Sequence, residues 1–264
     1  MLSLGFVSFL ALLPAKGAPV RPAARETVSV TPTPSVSKAM PPSPSPEPEP
    51  PPPAAEIDCA AVACVALTFD DGPSTYTSAL LDRLAELEVR VTFFNTGQNS
   101  ANHPDLVKRQ VDDGHLVGGH SWNHTDMKKQ SVEQACADAD RTARAIRDAS
   151  GFDPPFVRPP YGSWNDAILR ACSGKDFILW DVDTMDWSTH DAASITEHAV
   201  NDPKPGSIIL MHDTVAENID ALPGIVAGLR GKGYQLVTVA GLFNHSLGPD
   251  QAVYSGPRTG VLAP

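Results

Sequence analysis

From residue 64 onward, apolar residues fall in short blocks that alternate between two periodicities. Runs rich in β-branched and aromatic residues cover Cys64–Phe69, Val91–Asn95, Leu116–Gly119, Phe156–Arg158, Phe177–Asp181, Ser207–Met211 and Gln235–Val239. Short apolar runs bounded by turn formers predict buried strands. Between them, Ser78–Val89, Pro104–Asp112, Ser131–Ser150, Trp164–Cys172, Ala193–Val200 and Asn218–Arg230 have helical periodicity. In Ser131–Ser150 the apolar positions Val132, Ala135, Ala139 and Ala143 recur every three or four residues, as an amphipathic helix requires, and Gly151 follows as a C-cap.

Strands alternating with helices imply parallel βαβ units. Seven of them in about 190 residues predict an α/β fold, an irregular (β/α)7 barrel, with an open doubly wound sheet as the competing topology. In either, functional groups gather at the C-terminal ends of the strands. Polar residues sit at five of the seven ends: Asp70-Asp71, His120, Arg158 to Tyr161, Asp183 to Trp187, and His212-Asp213.

The flanks have a different character. Residues 1–18 carry an apolar run from Leu2 to Leu13 and small residues from Ala15 to Ala18. They resemble a secretory signal peptide without its basic n-region, and a short membrane anchor is the alternative. The run is too short to span a bilayer, so no membrane span is expected in the mature protein. Residues 19–56 predict a disordered Pro-rich linker, since Thr31–Pro53 holds eleven of the 26 prolines and can form neither helix nor sheet. Residues 57–246 then form the folded domain and 247–264 a C-terminal tail. The expected location is secreted or in the cell envelope.

The 264 residues are 42% hydrophobic, enough for one substantial core, and a monomer is expected. The net charge of -11 argues against nucleic acid as a partner. Cys59, Cys64, Cys136 and Cys172 match no zinc or redox spacing. An even count in an exported chain predicts disulfides, with three pairings open. Cys59 with Cys64 would staple the start of the first strand, leaving Cys136 with Cys172.

Asp70 and Asp71 are adjacent, and neighbouring strand residues point to opposite faces. The Gly72-Pro73 bend after them lets the two side chains diverge. In "HSWNH", His120 and His124 are four apart and aim at one point if the segment turns helically. The glutamate of H-E-x-x-H is absent, which excludes a zincin. Two histidines with an aspartate make a three-ligand set with open positions, as in catalytic metal sites.

Five ordered motifs carry a resemblance: "TFDDGP" at Thr68–Pro73, "HSWNH" at His120–His124, "RPPYG" at Arg158–Gly162, "DTMDW" at Asp183–Trp187 and "LMH" at Leu210–His212. The chain resembles polysaccharide deacetylases of carbohydrate esterase family 4, the NodB-homology domain. The resemblance implies that Asp71, His120 and His124 bind a divalent metal, Zn2+ first, with Co2+ or Ni2+ acceptable to the same donors. It implies metal-activated water with Asp70 as general base, and Arg158 orienting Asp70 by two hydrogen bonds. The Tyr161 backbone N–H would be the oxyanion hole, and His212 the general acid, its pKa raised by Asp186. Trp187 and Leu210 would line the slot for the acetyl methyl. Asp183 is left with a loop hydrogen bond, and Asp213 is read as a turn residue. The implied activity is N-deacetylation of N-acetylglucosamine in peptidoglycan or chitin-type polysaccharide. An acetylxylan esterase or a low-turnover wall-binding module are the alternatives.

Overall fold

The computed structural model describes residues 57–244, 247 and 250–258. The export signal and the Pro-rich linker expected over 1–56 lie outside the described residues. The strands are β1 (Cys64–Asp70), β2 (Thr92–Asn95), β3 (Leu116–Gly119), β4 (Phe156–Val157), β5 (Asp176–Ile178), β6 (Val182–Asp183), β7 (Ile208–His212), β8 (Gln235–Val237) and β9 (Ala252–Val253). The helices are α1 (Thr77–Glu86), α2 (Gly97–Asn102), α3 (Pro104–Asp112), α4 (Val132–Ser150), α5 (Asp166–Ala171), α6 (Asp186–Thr189), α7 (Ala192–Asn201), α8 (Glu217–Gly231) and α9 (Val239–Leu242). Among the described residues no helix is long and apolar enough to cross a membrane.

All strand pairs are parallel, in the order β6-β7-β1-β2-β3-β4-β5-β9, with β8 beside the first half of β1. This is the irregular barrel, with nine strands among the described residues where seven were expected. The run Phe177–Asp181 does not form one strand. It leaves β5, whose outer edge is taken by β9, and rejoins the sheet as β6 on the edge of β7. The side chain of Asp181 anchors this crossing by accepting from the Ile208 N–H (2.8 Å) and Ser207 Oγ (2.9 Å). The segment after residue 246 is therefore not simply a tail. Its residues Ala252 and Val253 pair with Phe177 and Ile178 and satisfy an edge that would otherwise be open. Val239, expected in the last strand, instead begins α9, capped by Thr238 accepting from the Gly241 N–H.

α4 shows how local sequence sets an element. Ser131 and Gln134 form a reciprocal capping box, Ala135, Ala139, Ala143 and Ile146 are buried, and Gly151 ends the helix at φ 76°. Disulfides join Cys59 to Cys64 and Cys136 to Cys172, the latter tying α4 to the residue after α5.

Side-chain alternation along β1 decides what reaches the site. Val65, Leu67 and Phe69 join the core under α1, α7 and α8, whereas Ala66 packs with Phe94, Phe156, Ile178 and Ile208 inside the barrel. Thr68 and Asp70 share the inward face with Ala66. Asp70 is thus carried into the barrel by the period of the strand.

Candidate active site

Asp70 meets Arg158, which enters from β4 and is fully buried. Arg158 Nη1 donates to Asp70 Oδ1 (2.7 Å) and to Thr68 Oγ1 (2.7 Å). Its Nε and Nη2 donate to the carbonyls of Ile178 (3.0 Å) and Leu179 (3.1 Å), and the guanidinium lies 4.1 Å over the Phe94 ring. The two-bond grip expected on Asp70 is therefore a single bond, because the Ile178 and Leu179 carbonyls take the other nitrogens. That leaves Asp70 Oδ2 to face His120 Nε2 at 3.7 Å. Burial pushes the Asp70 carboxyl above the usual carboxylate range, against the pull of Arg158 and His212.

The two carboxylates do not diverge. Asp71 adopts φ 74°, which reverses the strand alternation and returns its side chain to the same site. Asp71 Oδ1 lies 3.5 Å from both His120 Nε2 and His124 Nε2. His120 donates Nδ1–H to the Arg158 carbonyl (2.7 Å), so its Nε2 lone pair faces the carboxylates. Burial drives His120 down to about 3, which keeps the imidazole neutral, the form a metal ligand needs. His124 Nδ1 lies 3.1 Å from Tyr161 Oη.

The loop carrying both histidines is a non-helical turn, with Ser121 at φ 56° and His124 at φ 60°. It is held from outside. The Trp122 N–H donates to Asp138 (3.0 Å), and Arg141 stacks 3.5 Å above the Trp122 ring. A Cβ on Gly97 would approach Trp122 Cε3 to 2.5 Å, so that position has no room for a side chain. Left-handed backbone at non-glycine residues marks these loops, at Asp71, Ser121, His124, Tyr161 and Met185. Each such residue costs on the order of 1–3 kcal/mol and persists because its surroundings hold it.

Whether the cluster suits a cation can be judged from its donors. Asp71, His120 and His124 each offer an atom within 4.8 Å of the others. Asp71 Oδ1 is buried yet has no hydrogen-bond partner among the described residues. An orphaned carboxylate oxygen facing two imidazole nitrogens fits a divalent cation, and second bonds on both imidazoles orient them for it.

On the neighbouring strand, β7 pairs with β1 in a register that sets Asp70 opposite His212. Asp186 is fully buried and accepts from His212 Nδ1 (2.8 Å), the His212 N–H (2.6 Å), Asn218 Nδ2 (2.7 Å) and the Trp187 N–H (2.8 Å). Burial of His212 opposes its protonation, but the Asp186 bond and the charges of Asp186, Asp70 and Asp71 outweigh it and push the imidazole up to about 9. His212 is thus a proton donor below that pH. Asp186→Asn removes the main opposing charge, so the alkaline limb of the pH–kcat/KM profile should move from near 9 toward lower pH; an unmoved limb would contradict this coupling.

The remaining expected residues sit nearby in differing exposure. Tyr161, at φ 60°, places its ring edge-on to His124 at 4.5 Å and is 68% exposed. Leu210 is buried on β7 opposite Asp183, and Trp187 is the second residue of α6, half-exposed. Asp183 accepts from the Met185 N–H (2.8 Å). Asp213 is not a simple turn residue: it is buried and binds the Ser74 and Thr77 hydroxyls. Thr68, Asn218 and Asp138 were not expected at all. Thr68 alone had a sequence signal, two residues before Asp70 and so on its face. A cavity of about 950 Å³ lies away from these groups, between Leu84, Arg90, His115 and Leu236.

Fold and donors together define a parallel barrel with one candidate metal centre, among the described residues, at its C-terminal strand ends. The family model for polysaccharide deacetylase matches residues 58–177. Over 184 residues the chain is 38% identical to the peptidoglycan-N-acetylglucosamine deacetylase PgdA of Listeria monocytogenes serotype 1/2a (strain 10403S), covering 69% of this chain but 39% of that protein. A peptidoglycan-N-acetylglucosamine deacetylase of Bacillus cereus is 35% identical over 189 residues, 69% of each chain. Among solved structures, "T48 deacetylase with substrate" is similar at TM-score 0.72 and 43% identity, covering 75% of this chain and 99% of that one. A family 4 acetyl xylan esterase from Clostridium thermocellum, in complex with a cobalt ion, gives TM-score 0.66 at 31% identity, covering 69% and 91%. The chain belongs to the polysaccharide deacetylase family.

Proposed function

We propose that this chain is an exported, metal-dependent hydrolase that removes N-acetyl groups from N-acetylglucosamine residues of a polysaccharide, peptidoglycan first and chitin-type glycans second. In this reading residues 57–246 with strand β9 form the catalytic domain, working as a monomer outside the cytoplasm after the 1–18 signal and the 19–56 linker. The observation that carries it is the facing pair on adjacent strands. Asp70, a carboxylate, and His212, a protonated imidazole, sit opposite each other beside the Asp71–His120–His124 donors.

Asp71, His120 and His124 would hold the cation, Zn2+ by preference. When bound, it supplies Lewis-acid polarisation of the acetamide carbonyl. The chain's own residues do the rest. Asp70 Oδ2, left free by the single Arg158 bond, takes the proton from a water attacking the carbonyl carbon. The Tyr161 N–H donates to the carbonyl oxygen as it becomes anionic. His212 gives its proton to the departing amine nitrogen as the C–N bond breaks. Acetate and a free amino sugar result. Trp187 and Leu210 would border the acetyl methyl.

O-deacetylation of xylan is the second reading, favoured by the similarity to an acetyl xylan esterase. Acetate release measured in parallel from peptidoglycan, chitooligosaccharide and acetylxylan separates the two. Faster release from either N-acetylated substrate is expected; release from acetylxylan alone would overturn the N-deacetylase reading.

A further inference from the structure

We propose that Asp213 is a positioning residue that holds Asp70 and Asp71 in place relative to His212, through its hydrogen bonds rather than its charge; this rests on the roles assigned above. Asp213 follows His212 directly, at the end of β7. Its N–H donates to the Asp70 carbonyl (2.9 Å). Its Oδ1 accepts from Ser74 Oγ (2.8 Å) and Thr77 Oγ1 (2.6 Å), on the far side of the turn. Ser74 Oγ also donates to the Asp213 carbonyl (2.9 Å), so four ties join one residue to the segment 70–77, which carries both the base and a metal-ligand candidate.

That segment needs an external hold. Asp71 sits in the left-handed region, which an L-residue does not choose unaided. One side of the turn is fastened to the β2–α2 connection: the Asp71 N–H donates to the Phe94 carbonyl (3.2 Å), Asn99 Nδ2 to the Asp71 carbonyl (2.8 Å), and the Thr96 N–H to the Gly72 carbonyl (3.0 Å). Asp213 fastens the other side, and its own strand also carries His212. The backbone runs so close that a Cβ on Gly72 would overlap Asp213 Oδ2. That oxygen is buried without a hydrogen-bond partner, and no ion pair reaches the carboxyl among the described residues. Both side-chain bonds fall on Oδ1, and an asparagine carbonyl oxygen can accept them equally.

Asp213→Ala, Asp213→Asn, Asp70→Asn and the unmodified protein should be compared for Zn2+ affinity and for kcat and KM of acetate release from chitooligosaccharide, well below each melting temperature. Asp213→Ala is expected to weaken Zn2+ binding about 10-fold or more and to lower kcat about 10- to 100-fold, with KM within about twofold. Asp213→Asn is expected within about threefold of the unmodified protein in both, because it keeps the acceptor. A residue that only stabilised the fold would lower the melting temperature and leave Zn2+ affinity and kcat unchanged. Unchanged Zn2+ affinity and kcat in Asp213→Ala would overturn the proposal. So would an Asp213→Asn variant as impaired as the alanine, since charge would then matter. Should the alanine variant not fold, Ser74→Ala with Thr77→Val removes the same donors from the other side. It should give the same pattern, and unmodified values there would be equally decisive against it. An active Asp70→Asn would overturn the catalytic reading itself. An inactive one beside an unimpaired Asp213→Ala would remove only the positioning role.

Discussion

Asp70→Asn is expected to lower kcat for acetate release about 10²- to 10⁴-fold while Zn2+ content stays at the unmodified level. The amide keeps the size of the side chain and its bond from Arg158, but it can no longer take a proton. The cation donors are Asp71, His120 and His124, and Asp70 is not needed among them. The substitution has a second, separable effect. Arg158 is fully buried and Asp70 is its one carboxylate partner among the described residues, so the variant removes that counter-charge. Removing one member of a buried pair costs about 3–5 kcal/mol, an upper figure here because the hydrogen bond survives. Activity must therefore be read at a temperature where the melting curve shows the variant folded. Acetate release at the unmodified rate would rule out Asp70 as the base.

His212→Ala should also cost about 10²- to 10⁴-fold, with a discriminating pattern. An amine cannot leave as its anion, so amide cleavage needs a proton on nitrogen as the bond breaks. An alkoxide is a better leaving group, and an acetyl ester depends less on the donor. The loss in kcat/KM should accordingly be larger for chitooligosaccharide than for acetylxylan. The fold should survive, since Asp186 keeps its bonds from Asn218 Nδ2 and the Trp187 N–H. Zn2+ content should hold. Equal losses on the two substrates would contradict proton donation to the leaving group, and loss of Zn2+ would place His212 among the ligands instead.

Both predictions depend on geometry that the chain's pattern shows only in part. The blocks of apolar residues located seven strand runs and six of the helices, because period 2 and period 3.6 are local properties. β6 and β9 were not legible: a two-residue strand carries no period, and each exists only because β7 or β5 offers it an edge. The spacing of His120 and His124 would converge the imidazoles only through a helical turn, and no local signal announced the left-handed residues that bring them together instead.

The adjacent pair Asp70-Asp71 marks where sequence and tertiary structure divide the work. Order and spacing of the polar strand ends were enough to bring His120, His124 and a strand-end aspartate together as one donor set, since parallel strands deliver their C-terminal ends to one side; that the aspartate is Asp71 came from the family resemblance. Strand alternation by itself would have sent Asp70 and Asp71 to opposite faces. Tertiary contacts decided otherwise, holding Asp71 at positive φ between Phe94 and Asn99 on one side and Asp213 beneath Gly72 on the other. The same contacts reduced Arg158 to a single bond on Asp70, because carbonyls about twenty residues further along the chain took its other nitrogens. Local sequence sets which groups arrive at the barrel mouth; the direction each one points is set by partners distant in the chain, through hydrogen bonds that only the closed sheet brings within reach.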